Sequence, residues 1–294
     1  MIHFLEQVLN GLQLGFVYAL IALGYTMVYG IIKLINFAHG DVFMVGAFLG
    51  YFGFTFWGLS LPSAVLLSMT LCAILGITIE RIAYRPLRYA PRIAALISAL
   101  GVSLFLEYFS SLKFVFGPNF RVVSRPITES RWDLFGLEIT NIQVLIMVVV
   151  ILLLVGLQFL VYRTKIGTAM RTVSFDHDAA RLMGINVDNV ISFTFGIGSA
   201  LAAAGGVLFA IAYPQIHPFM GIMPGLKAFT AAVLGGIGII PGAVLGSLIM
   251  GQVEILTAAF ISSQLRDAIA FAILILVLLI RPSGILGKTG PEKV

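Results

Sequence analysis

The sequence is short of charge. Of its 294 residues only 11% are charged, against about 25% in soluble domains, while 60% are hydrophobic. Mean hydropathy is +1.05. A soluble fold is thereby excluded, and the apolar runs of about 20 residues mark membrane-spanning helices rather than barrel strands. Cysteine is nearly absent. Cys72 lies alone in an apolar run, so no intrachain disulfide or cysteine-based metal set can form. His3, His39, His177 and His217 are scattered and suggest no ligand cluster. A phosphate loop is missing too. Pro282–Thr289 ends in Gly-Lys-Thr, but Pro282 stands where the first glycine belongs and no strand precedes it. Any nucleotide chemistry must then belong to a partner. The net charge of +5 is no nucleic-acid signal, because the basic residues sit in short loops between spans.

The apolar runs predict an all-α, polytopic membrane bundle forming one domain over residues 1–294. Spans are expected near residues 8–32, 42–57, 64–82, 93–116, 142–162, 190–213, 227–234, up to 260, and 267–280. The first run lacks a basic leader and is too long for a signal-peptide core, so it reads as a retained span. Residues 227–234 are too few to cross alone at 1.5 Å per residue and suggest a half-helix. The count is therefore eight or nine. Arg81, Arg85, Arg88 and Arg92, then Arg163, Lys165, Arg171 and Arg181, mark cytoplasmic loops, as do Lys288 and Lys293. Residues 117–140 have no net charge and 214–225 none at all, which fits the outer face. The N-terminus is then outside and the C-terminus inside. Short strands are expected at Val122-Val123 and 137–139.

Two polar breaks, 33–41 and 235–242, fall in opposite halves, and paired broken helices often mark a transport path. VGAFLG at 45–50 and PGAVLG at 241–246 hint at an internal repeat. In the first break Asn36, Phe37, His39 and Gly40 group an amide, an aromatic ring, an imidazole and a glycine, with the Asp41 carboxylate beside them. They are candidate path residues, or an ordinary turn. Glu107 and Glu254 lie within spans, where a charge is costly. Each is either paired inside the bundle or lines the path.

The loop 163–189 is the most informative stretch. Ser174 or Asp176 can cap a short helix, and Gly184 can close it in the left-handed conformation. Phe175, Ala179, Leu182 and Met183 share one face, with Asp178 and Arg181 on another. Such a helix suits lying on the membrane surface and docking a partner.

Several blocks in register then carry a resemblance over nearly the whole chain. They are YALIALGYTMVYGII at 18–32, NFAHGD at 36–41, ERIAYRPLR at 80–88, AARLMGIN at 179–186, KAFTAAVLGGIG at 227–238 and RPSGILG at 281–287. Together they resemble the LivH-type permeases of high-affinity branched-chain amino-acid importers of the ATP-binding-cassette class. The resemblance implies a non-enzymatic subunit that passes leucine, isoleucine or valine inward. It also implies a second, LivM-like permease, two ATP-binding-cassette subunits that hold ATP and Mg, and a periplasmic binding protein. It implies no cofactor on this chain. In importer permeases a cytoplasmic Glu-Ala-Ala, three residues and Gly couples transport to ATP. Asp178, Ala179, Ala180, Arg181 and Gly184 keep that spacing, with Asp for Glu and without the usual later Ile-x-Leu-Pro. Similar permeases carry urea or short amides, and an ion-coupled carrier using Glu107 or Glu254 is the alternative from another class.

Overall fold

The structure, a computed structural model, describes residues 2–88, 90–134 and 136–287. Lys288, Thr289 and Lys293 lie outside the described residues. Among the described residues nine apolar helices form the bundle. Six are long enough to cross: α1 (Ile2–Ile32), α3 (Leu61–Ile79), α4 (Arg92–Ser110), α5 (Asn141–Arg163), α8 (Val187–Ala212) and α10 (Ile240–Phe260). Three are shorter: α2 (His39–Thr55), α9 (Ile222–Gly235) and α11 (Arg266–Ile280). Two polar helices, α6 (Lys165–Phe175) and α7 (His177–Leu182), lie between α5 and α8.

α1 and α8 form the centre. Each is apolar around most of its circumference and mostly buried, so neither has a polar side to turn outward. α5 is the opposite case, with most of its span exposed to whatever surrounds the bundle. Its start is fixed by a capping box, in which Thr140 Oγ1 accepts from the Gln143 amide and the Gln143 side chain accepts from the Thr140 amide.

Two short antiparallel ribbons close one end of the bundle. β1 (Arg121–Val122) pairs with β4 (Gln215–Ile216), and β2 (Arg131–Leu134) pairs with β3 (Leu137–Thr140). The strands expected at 122–123 and 137–139 are thus present, displaced by a residue, and each has a partner. The opposite end carries the basic loops. Among them, Glu80–Tyr84 continues α3 as a π-helix and passes into a 3₁₀ turn at Arg85–Leu87.

Both breaks are real, and they place two helix starts deep in the bundle. His39 lies against Gly24, where a Cβ would come within 2.1 Å of the His39 Nε2. Gly24 is about 12 Å from the end of α1 at 1.5 Å per residue. The chain therefore turns back after Ile32 and begins α2 partway into the bundle. α9 begins at Ile222, not at Lys227, so the half-helix is longer than its apolar run and Lys227 sits within it. At about 21 Å it still falls short of a roughly 30 Å hydrocarbon layer. The starts of α2 and α9 meet there. A Cβ on Gly40 would lie 2.6 Å from the Gly221 carbonyl oxygen, and one on Gly221 would lie 2.2 Å from that of Gly40. Only glycine permits this backbone approach.

The far end of α9 is completed by residues distant in sequence. The amide of Ile285 donates to the Leu234 carbonyl at 2.9 Å, and that of Leu286 donates to the Gly235 carbonyl at 3.0 Å. The described part of the Gly-Lys-Thr lookalike is thus engaged in finishing a helix.

Candidate functional site

The 163–189 loop folds as two helices, not one. Asp176, rather than Ser174, is the cap of α7. Its Oδ1 accepts from the amides of Asp178 at 2.8 Å and Ala179 at 3.0 Å. Ser174 lies inside α6 and donates to the Arg171 carbonyl. Gly184 ends α7 with φ +79, and the Ile185 amide reaches back to the Ala180 carbonyl at 3.0 Å. Asp178 and Arg181 pair along the helix at 3.4 Å. Ala180 is fully buried, so α7 rests on the bundle through that small side chain. Phe175 is 88% exposed, Leu182 90% and Met183 77%. Three large apolar side chains thus stand outward around a polar, capped helix, Phe175 at the end of α6, Leu182 in α7 and Met183 just after it, an arrangement that costs free energy unless something covers it.

Two sets of bonds tie this helix to the first break. On one side the His177 ring Nε2 lies 3.0 Å from the Ile31 carbonyl oxygen. Two residues after Ile31 comes Lys33, whose φ of +54 makes it the one non-glycine residue in the left-handed region among the described residues. On the other side, Asp188 in the first turn of α8 pairs with Arg85 at 2.6 Å and with Arg88. Arg88 also pairs with buried Glu80 at 2.5 Å, and Ser192 donates to the other oxygen of Glu80 at 2.5 Å. Tyr84, in the same π-helix, donates to the Asn36 side-chain oxygen at 2.9 Å. The stretch from Ile31 to Asn36 is therefore held at both ends, Ile31 by His177 of α7 and Asn36 by Tyr84 of the π-helix.

Above this segment, at the start of α2, the remaining candidates collect. His39 is buried and packs edge-on against Tyr25 with ring centroids 4.8 Å apart. Phe37 packs against Phe229 of α9 at 6.2 Å. Ser103 donates to Asp41 at 2.5 Å, and Glu107, one turn beyond Ser103 on α4, brings its carboxyl up to that of Asp41.

Asn36, Phe37, His39 and Gly40 thus form one neighbourhood, and Glu107 joins it through Asp41. Glu254 does not. Its carboxylate is held by Lys227 at 2.7 Å, Arg266 at 3.2 Å and the Tyr18 hydroxyl at 2.9 Å. Lys227 also reaches Asp267 at 2.7 Å. Two cations and two anions cancel, so of the two readings given to Glu254 the geometry matches pairing within the bundle. Sequence reasoning missed Lys227, Ser103, Glu80 and Asp188. Only Ser103 leaves a local trace, four residues before Glu107 on one helix face. No group of three His, Cys, Asp or Glu among the described residues is placed to hold a metal ion.

Comparison with known proteins agrees with this architecture. A family model described as "Branched-chain amino acid transport system / permease component" matches residues 7–278. The permease LivH of a high-affinity branched-chain amino acid transport system of Salmonella typhimurium is 44% identical, over 100% of this chain and 98% of its own length. BraD, its counterpart in Pseudomonas aeruginosa, is 43% identical over 99% and 98%. Among solved structures, PsaBC from Streptococcus pneumoniae in complex with Fab superposes with a TM-score of 0.50 at 14% identity, covering 96% of this chain and 93% of that one. That likeness speaks for the fold alone. With its two inward-starting helices and its outward-facing short helix, the chain belongs to the branched-chain amino acid transport permease family.

Proposed function

We propose that this chain is the permease subunit of an ATP-binding-cassette importer carrying leucine, isoleucine and valine inward, driven by ATP hydrolysed on partner subunits. The observation that carries the proposal is the junction between α7 and the first break. A short polar helix flanked by exposed apolar side chains offers a seat for an ATPase, and bonds from it and from the start of α8 behind it lead to the stretch that delivers α2 into the bundle. Asp178, Ala179, Ala180, Arg181 and Gly184 would form the coupling element. Its displacement would pull on the stretch from Ile31 to Asn36 through His177 and through Asp188, Arg88 and Tyr84, moving the meeting point of α2 and α9. Asn36, Phe37, His39, Gly40 and the Asp41–Glu107 pair would border the path, and no role in it is assigned to Glu254. The full machine on this reading has a second, LivM-like permease, two ATP-binding-cassette subunits with ATP and Mg, and a binding protein docking on the ribbon end. The basic end faces the cytoplasm, with the N-terminus outside.

The test is leucine uptake into vesicles holding the whole assembly and a loaded binding protein, with and without ATP, at no ion gradient. ATP-dependent accumulation supports the proposal, and ATP-dependent uptake of urea but not leucine would move the cargo. Gly184→Val is the matched variant. A Cβ there meets nothing within 4 Å, so only the left-handed backbone resists it. Transport and ATPase coupling are expected to fall at normal expression, and unimpaired uptake would remove α7 from the mechanism. The Asp41–Glu107 pair supplies the one observation for a rival, a proton-coupled carrier. Uptake that follows a pH gradient and ignores ATP would favour it.

A further inference from the structure

A cavity of about 620 Å³ opens at the basic end, between α1, α5, α6 and the two breaks. Lys33 and Arg171 both line it, as do Tyr29 and Tyr162. The Lys33 ammonium stands 5.9 Å from the centre of the Tyr29 ring, and the Arg171 guanidinium 5.5 Å from that of Tyr162. Arg171 also reaches the Thr168 hydroxyl at 3.4 Å. No carboxylate lines the cavity among the described residues. Among the described residues the chamber is thus a cationic one whose charges meet hydroxyls and rings.

A groove of about 320 Å³, apolar apart from Gln158, adjoins it between α5 and α10. Ile240 lines both spaces. Leu154 on α5 and Val244, Leu245 and Leu248 on α10 form the walls of the groove. Since α10 starts at Ile240 and runs away from the basic end, the groove follows the spans into the depth of the bilayer.

We propose that chamber and groove together are a binding site for an anionic phospholipid. The phosphate sits between Lys33 and Arg171, and an acyl chain lies along Leu154, Val244, Leu245 and Leu248. A basic chamber at the headgroup level that continues into a hydrocarbon-level groove has the division of a lipid. A zwitterionic headgroup fits poorly. Its ammonium finds no carboxylate, and the two tyrosine faces that suit such a cation are already occupied. The site also touches the transport argument. Lys33 lies in the stretch held by His177 and Tyr84, so a phosphate on Lys33 pins that stretch.

The test is native mass spectrometry of the full chain, exchanged through phosphatidylglycerol or phosphatidylcholine and released from detergent. Retention of one phosphatidylglycerol, at roughly tenfold the level of phosphatidylcholine, is expected. The Lys33→Gln, Arg171→Gln double variant should retain both lipids alike. Leu245→Trp should lower retention with both cations intact. Arg171→Gln alone, on the exposed side of α6, decides the charge arm if the double variant fails to fold. Equal retention of the two lipids by the unaltered chain overturns the proposal, as does unchanged phosphatidylglycerol retention in the charge variants. Full displacement by inorganic phosphate would make it a soluble-anion site and overturn the lipid assignment.

Discussion

At the scale of single residues, the strongest constraints are a charge set and a close approach. Lys227, Glu254, Arg266 and Asp267 cancel one another, with Lys227 and Glu254 almost fully buried. Removing one member leaves a buried charge without its partner, which costs about 3–5 kcal/mol. Lys227→Met is expected to lower the thermal stability of the purified protein by that order, and adding Glu254→Met should recover most of it. A double variant no better than the single would mean that shape, not charge, holds the site. Gly46 makes the other case. A Cβ there would lie 2.4 Å from the Ala203 Cα, which is backbone and cannot turn aside. Gly46→Val should cost about 1–3 kcal/mol, while Gly101→Val, with nothing within 4 Å, should be close to neutral in the same melting experiment.

At the scale of elements, α7 is short enough that its cap decides whether it exists. Asp176→Ala removes both amide contacts at its start, at about 0.5–2 kcal/mol. Hydrogen exchange at the amides of residues 178–182 should speed up while α6 stays protected. Exchange unchanged there would show that packing of Ala180, not the cap, keeps the helix. The bonds from α7 to the first break give a second expectation. Asp188→Asn and Tyr84→Phe should each reduce leucine moved per ATP, by about 0.5–2 kcal/mol of coupling or roughly two- to thirtyfold. Neither residue lies on the exposed face of α7, so basal ATPase activity of the assembly should persist. An unchanged transport-to-ATP ratio in both variants would discard this route. The π-helix at Glu80–Tyr84 belongs to the same argument, since it aims Glu80 at Arg88 and Tyr84 at Asn36 from a single turn.

At the scale of the whole molecule, the orientation proposed above rests on the basic loops. Cys72 is fully buried, so a cysteine placed at Ser130 or Thr172 would be the reactive one. Ser130→Cys should react with an impermeant thiol reagent in intact cells, and Thr172→Cys only after lysis. The reverse result would invert the assignment of faces. All nine helices were legible as apolar runs, because hydrocarbon solvent demands such runs whatever the tertiary contacts. The two breaks were legible as polar interruptions. The start of α9 was not, since Pro224 and Gly225 read as loop, yet proline is tolerated in the first turn of a helix. The pairing of Asp41 with Glu107, and of Lys227 with Glu254, was beyond reach. A single sequence carries no record of which distant positions touch. α7 was legible because its cap, its charge pair and its closing glycine are local, though its separation from α6 at Asp176 was not.

The completion of α9 by Ile285 and Leu286 has a consequence for how the protein is made. Those two amides are synthesised after α10 and α11, so the last carbonyls of α9 stay without partners while the later helices enter the bilayer. A half-helix whose last turn has two carbonyls unbonded to the protein is less stable. The half-helix therefore settles late in biogenesis, after its neighbours are in place. A chain arrested before residue 285 would present the insertion machinery with an unfinished helix and a natural mark for quality control.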